Sequence, residues 1–129
     1  MNGTRILLAD DHAVVCAGIR NALQELPGIE IVGEVGDGPT LFFVLGQTRP
    51  DCLLIDVTMP DFEPISAIRR IRASYPSMKI LVVSAYDDRV YVQGLFSAGV
   101  NGYHLKDQSL SDLRLAVNSR LAASSGRPW

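Results

Sequence analysis

Short apolar runs alternate with longer amphipathic stretches along this chain. Runs at residues 5–9, 29–35, 52–55, 80–83 and 102–105 have the length and apolar content of strands. Between them, apolar residues recur near the helical period. Val15, Ile19, Leu23 and Leu26 form one stripe, ended by Pro27-Gly28. Leu41, Val44 and Leu45 begin a second after the turn Gly36-Asp37-Gly38. Ile65, Ile68 and Ile71 mark a third, with Pro64 suited to its first turn. Tyr91, Leu95 and Ala98 belong to a fourth, closed by Gly99. Leu110, Leu113, Val117 and Leu121 mark a fifth, opened by the capping-box pattern Ser109-x-x-Asp112.

Five strand–helix units in strict alternation predict an α/β domain: a parallel sheet covered on both faces, joined by right-handed crossovers. The best fit is a flavodoxin-like, doubly wound five-stranded sheet of order 2-1-3-4-5 with five helices. Residues 1–122 make one domain, and the Ser/Gly/Pro-containing segment 123–129 reads as a linker or frayed tail. With 129 residues, 47% hydrophobic and 20% charged, the chain can bury a real core. Nothing in a net charge of -2 suggests that this segment itself grips nucleic acid. No apolar run has the length of a membrane span and no signal peptide precedes the first apolar run, so a cytoplasmic protein is expected. Cys16 and Cys52 lie in apolar stretches and are expected as buried free thiols.

The polar residues sharpen this. The first predicted strand runs into Asp10-Asp11, the third into Asp56, the fourth into Ser84 and the fifth into Lys106. In an open parallel sheet these ends share one edge, where ligands bind at the topological switch point. Carboxylates about 4 Å apart repel by roughly 4 kcal/mol at an effective dielectric near 20. Three of them need neutralising cations. Lys106 supplies one charge, and a hard divalent ion suits an all-oxygen set, Mg²⁺ best.

The chain resembles the receiver domains of two-component response regulators over essentially its whole length. The likeness rests on Ile6-Leu7-Leu8-Ala9-Asp10-Asp11-His12, Leu54-Ile55-Asp56-Val57-Thr58-Met59-Pro60, Val83-Ser84-Ala85 and Gly102-Tyr103-His104-Leu105-Lys106-Asp107. The Asp-Asp-His opening and the Lys-Asp ending look most like the NarL/FixJ-type (LuxR-like) subgroup. The resemblance implies Asp56 as phosphoacceptor from a sensor histidine kinase. It implies Mg²⁺ held by Asp11, Asp56 and the main-chain carbonyl of Thr58, with Asp10 acting through water. Lys106 and Ser84 would engage the phosphoryl group, and Ser84 with Tyr103 would form the switch. It further implies homodimerisation on phosphorylation. DNA would be reached only through a C-terminal helix-turn-helix domain outside these 129 residues. Such a protein is a signalling switch that assists its own phosphotransfer, not an enzyme acting on a separate substrate.

The sequence departs from the family pattern in two places. Asp61 and Pro64 stand where glycine is common after the phosphorylation site, which limits loop freedom. Asp107 follows Lys106 where many receivers carry a cis-proline, and a cis bond before a non-proline costs about 2.5–4 kcal/mol. An aspartate-nucleophile phosphatase of the haloacid-dehalogenase type would need a second aspartate where Thr58 stands. A flavodoxin-like cofactor binder would not place Asp10 and Asp11 against a phosphate, and the intact Asp–Ser–Lys set argues against a receiver that is never phosphorylated. His12 and His104 lack metal-ligand spacing; His12 is expected at a helix start beside the acids and His104 on the sheet. Tyr86 is read either as a shield over the phosphoryl site or as a loop residue. Arg69, Arg70 and Arg72 read as a solvated helix face, and Val90, Tyr91 and Phe96 as core or partner surface.

Overall fold

The computed structural model describes residues 3–85 and 88–106. Strands β1 (Thr4–Ala9), β2 (Ile29–Val35), β3 (Cys52–Ile55), β4 (Lys79–Ser84) and β5 (Gly102–Leu105) alternate with helices α1 (Ala13–Gln24), α2 (Gly38–Thr48), α3 (Pro64–Ser74) and α4 (Arg89–Ala98). The sheet is parallel throughout, in the order β2-β1-β3-β4-β5. This is the flavodoxin-like arrangement expected from the alternation. The fifth helical stripe, its capping box, the 123–129 tail, Tyr86 and the Lys106–Asp107 bond lie outside the described residues.

The strand period of two sorts the core. Leu7, Ala9, Leu53, Ile55, Ile80 and Val82 point to one face, where they pack with Leu41, Leu45, Ile68, Ile71 and Leu95 of α2, α3 and α4. Ile6, Leu8, Cys52, Leu54, Leu81 and Val83 point to the other, against Ile19 and Leu23 of α1. β3 is buried at every position, as a central parallel strand must be. Cys16 and Cys52 are buried free thiols. Burial raises the Cys52 thiol to about 12 and Cys16 to about 11, the latter helped by the charge of Asp10.

Local signals set the helix starts. Asp37 caps α2 by accepting from the Thr40 amide at 2.8 Å, and Glu63 caps α3 by accepting from the Ser66 amide at 3.1 Å, with Pro64 in its first turn. Asp88 does the same for α4 through the Tyr91 amide. The predicted stripe reaching Leu26 overruns α1, which ends at Gln24 before the Pro27-Gly28 turn.

One reading is overturned. Arg72 does not share a solvated face with its exposed neighbours Arg69 and Arg70. Its guanidinium is half-buried and donates to the carbonyls of Tyr75, Pro76, Met78 and Gly99 and to Asn101 Oδ1. It fastens the α3–β4 turn to the α4–β5 turn, at the sheet edge away from the strand C-termini. Gly99, at φ 125, leaves room for this, since a Cβ there would lie 2.8 Å from Arg72 Cγ. In α4, Val90 is exposed while Tyr91 and Phe96 pack against the core.

Candidate functional site

The sheet ladder continues one residue beyond three strands and so fixes the edge. Asp10 N donates to Val35 O, Asp56 N to Ala9 O and Lys106 N to Ser84 O, each at 2.8 Å. Asp10, Asp56 and Lys106 are thereby held as rigidly as strand residues. β1 and β3 are neighbours although β2 lies between them in sequence, so the crevice opens at the switch point between Asp10 and Asp56.

The side chains converge. Asp56 is 2% exposed. Its Oδ1 accepts from the Thr58 amide at 3.1 Å and the Thr58 hydroxyl at 2.8 Å, and its Oδ2 from Lys106 Nζ at 2.8 Å. Lys106 Nζ also stands 3.2 Å from Asp10 Oδ2, close enough to pair but without hydrogen-bond alignment. That buried oxygen accepts no hydrogen bond. Burial alone would lower the pKa of Lys106. Its contacts with Asp56 and Asp10, and their negative charge, outweigh burial and hold it above the ordinary lysine value. Asp11 is exposed at the mouth. Ser84 is fully buried at the end of β4, and Tyr103 is half-buried on β5, packed against the core.

All the acids and the lysine singled out in the sequence therefore meet, with Ser84 on the adjacent strand end. Donor atoms of Asp10, Asp11, His12 and Asp56 lie within 4.8 Å of one another. The carboxylates, together with the unsatisfied Asp10 oxygen, suit a hard divalent ion that would add positive charge beside Lys106. His104 is buried on β5 as expected.

One participant escaped the sequence reading. The Thr58 side chain, expected to matter only through its carbonyl, holds Asp56 directly. The Asp-x-Thr spacing, which places a hydroxyl two residues beyond the acid, was its available signal. His12 stands at the start of α1 beside the acids, as expected, with Nδ1 2.9 Å from Asp10 Oδ1 and 3.2 Å from Asp11 Oδ1. The loop after Asp56 also answers the departure at Asp61: this residue takes the left-handed conformation itself, at φ 53, as aspartate can.

Comparison with known proteins agrees with this geometry. The family model described as the response regulator receiver domain matches residues 6–118. The chain is 36% identical, over 109 residues, to the uncharacterized transcriptional regulatory protein YhcZ of Bacillus subtilis (strain 168), a match covering 84% of this chain and 51% of that protein. The chain thus spans about half the length of the curated relatives it matches. Among solved structures, it is similar to a LuxR-family two-component response regulator from Aurantimonas sp. SI85-9A1, with TM-score 0.86 and 30% identity, covering 94% of this chain and 86% of that one. It is also similar to the isolated REC domain of RcsB from Salmonella enterica serovar Typhimurium, obtained in the presence of the phosphomimetic BeF3-. There the TM-score is 0.87 and the identity 26%, covering 95% and 91% of the two chains. With its fold, its clustered acids and lysine, and these matches, the chain belongs to the response regulator receiver domain family, in the NarL/FixJ-type (LuxR-like) subgroup.

Proposed function

We propose that this receiver takes a phosphoryl group from a sensor histidine kinase onto Asp56. The observation that carries the reading is the environment of that carboxylate. It is buried at a strand end, held through one oxygen by Thr58 and paired through the other with Lys106. A carboxylate oxygen of Asp56 attacks phosphorus, the P–N bond to the donor imidazole breaks, and its electron pair stays on that nitrogen. An acyl phosphate forms on Asp56. Thr58 fixes the attacking group, Lys106 offsets negative charge on the phosphoryl oxygens, and burial excludes the water that would hydrolyse the product. Asp11, Asp56 and the Thr58 carbonyl would hold Mg²⁺, with Asp10 acting through water. Bound there, Mg²⁺ neutralises phosphoryl oxygens.

Ser84 is the neutral donor at the neighbouring strand end. Drawing its hydroxyl to the phosphoryl group moves the segment after β4, and Tyr103 turns into the space released. The outer surface then changes by a population shift. In the full-length protein this would act in the cytoplasm, through phosphorylation-dependent homodimerisation, to control transcription by a helix-turn-helix domain beyond residue 122.

The test is incubation with acetyl phosphate and Mg²⁺ followed by intact-mass measurement under mild conditions. Wild type should gain one phosphoryl group and Asp56→Asn none. Equal labelling of the two proteins would refute the assignment. For the switch, NMR shifts in α4 and at Tyr103 should respond to beryllofluoride in wild type and barely respond in Ser84→Ala. Equal responses would remove Ser84 from the coupling.

A further inference from the structure

His12 is the N-cap residue of α1, yet its side chain makes no capping hydrogen bond. Its ring instead closes the acid cluster on the solvent side, 58% exposed. The backbone fixes this placement, because the His12 amide donates to Asp10 Oδ1 at 2.8 Å. Nδ1 lies 2.9 Å from Asp10 Oδ1, 3.2 Å from Asp11 Oδ1 and 3.8 Å from Asp56 Oδ2. Two ligand atoms each about 2.1 Å from one ion, at right angles, are about 3 Å apart. The His12–Asp11 separation is therefore already that of neighbouring ligands on one metal. Asp10 Oδ2 is buried without a hydrogen bond, its charged neighbour Lys106 Nζ standing 3.2 Å away, so the crevice still offers an acceptor that a metal ion can take up.

We propose that His12 Nδ1 is a direct ligand when a borderline transition ion of the Ni²⁺ class enters this crevice, making the site an oxygen–nitrogen site selective for such ions over Mg²⁺. The inference rests on the metal-binding part of the function proposed above and adds a ligand to it. Imidazole nitrogen favours Ni²⁺, Cu²⁺ and Zn²⁺, whereas Mg²⁺ prefers oxygen and retains water. With Mg²⁺, the position facing His12 is held by water. With Ni²⁺, the ring displaces that water and leaves the carboxylate set in place.

The test is calorimetric titration of wild type and His12→Ala with Ni²⁺ and with Mg²⁺ at one pH. Ni²⁺ affinity should fall at least about tenfold in the variant, with Mg²⁺ affinity within about twofold of wild type. Imidazole nitrogen modulation in the electron spin echo of bound Cu²⁺, an ion of the same class, should be present in wild type and lost in the variant. Parallel changes for both ions, or none for either, would overturn the proposal and leave His12 as an ion-pair partner of the acids. A wild type that binds neither ion would overturn this inference and the metal reading together. Mg²⁺-dependent labelling of wild-type Asp56 tests phosphotransfer separately.

Discussion

Gly38, the first residue of α2, lies against the carbonyl of Asp61 so closely that a Cβ on Gly38 would stand 2.0 Å from that oxygen. The Gly38 amide also donates to the Pro60 carbonyl at 3.1 Å. The loop that carries Thr58 is thus pinned between Asp56 on one side and the start of α2 on the other. Gly38→Ala should destabilise the fold by roughly 1–3 kcal/mol, because the obstructing atom is backbone and the loop must shift. Urea denaturation measures this. A loss below about 0.5 kcal/mol would show that the loop yields freely.

Arg72→Ala should cost roughly 2–4 kcal/mol, since it strips hydrogen bonds from several carbonyls at once. Arg69→Ala, at an exposed position of the same helix, should change stability by less than about 0.5 kcal/mol. Equal effects in chemical denaturation would restore the reading of both residues as a solvated face.

That contrast shows what the sequence made legible. The strands, the four described helices and the edge bearing Asp10, Asp56, Ser84 and Lys106 follow from apolar period and strand endings, which are local. The role of Arg72 depends on carbonyls of the α3–β4 and α4–β5 turns, and that of the Thr58 hydroxyl on the path of the loop after Asp56. Neither leaves a periodic trace. Asp61 likewise looked like a departure from glycine, yet it adopts the backbone conformation glycine would have taken.

The thiols give a pH dependence. Burial raises Cys52 from 9.0 to about 12, so the folded state keeps a proton that the unfolded chain loses first. Its contribution to stability is complete below the ordinary thiol pKa and is lost as pH rises toward the folded value. The midpoint of urea unfolding should fall with pH above about 9 in wild type, and less steeply in Cys52→Ala. Identical slopes would contradict the burial argument. At neutral pH, Cys52 should react with an aromatic disulfide reagent only after unfolding.

Mg²⁺ should raise the melting temperature, because a ligand binding only the native state stabilises it by about 2.7 kcal/mol at a hundredfold excess over its Kd. Asp11→Ala should remove most of that shift. An unchanged shift would place the ion elsewhere.

Among the three clustered carboxylates, Asp56 alone should become the acyl phosphate. Borohydride reduces an aspartyl phosphate to homoserine, so brief labelling with acetyl phosphate, reduction and peptide sequencing by mass spectrometry reads the modified position directly. Homoserine should appear at position 56, with intact aspartate at positions 10 and 11. Homoserine at Asp10 or Asp11, with Asp56 unmodified, would contradict that assignment.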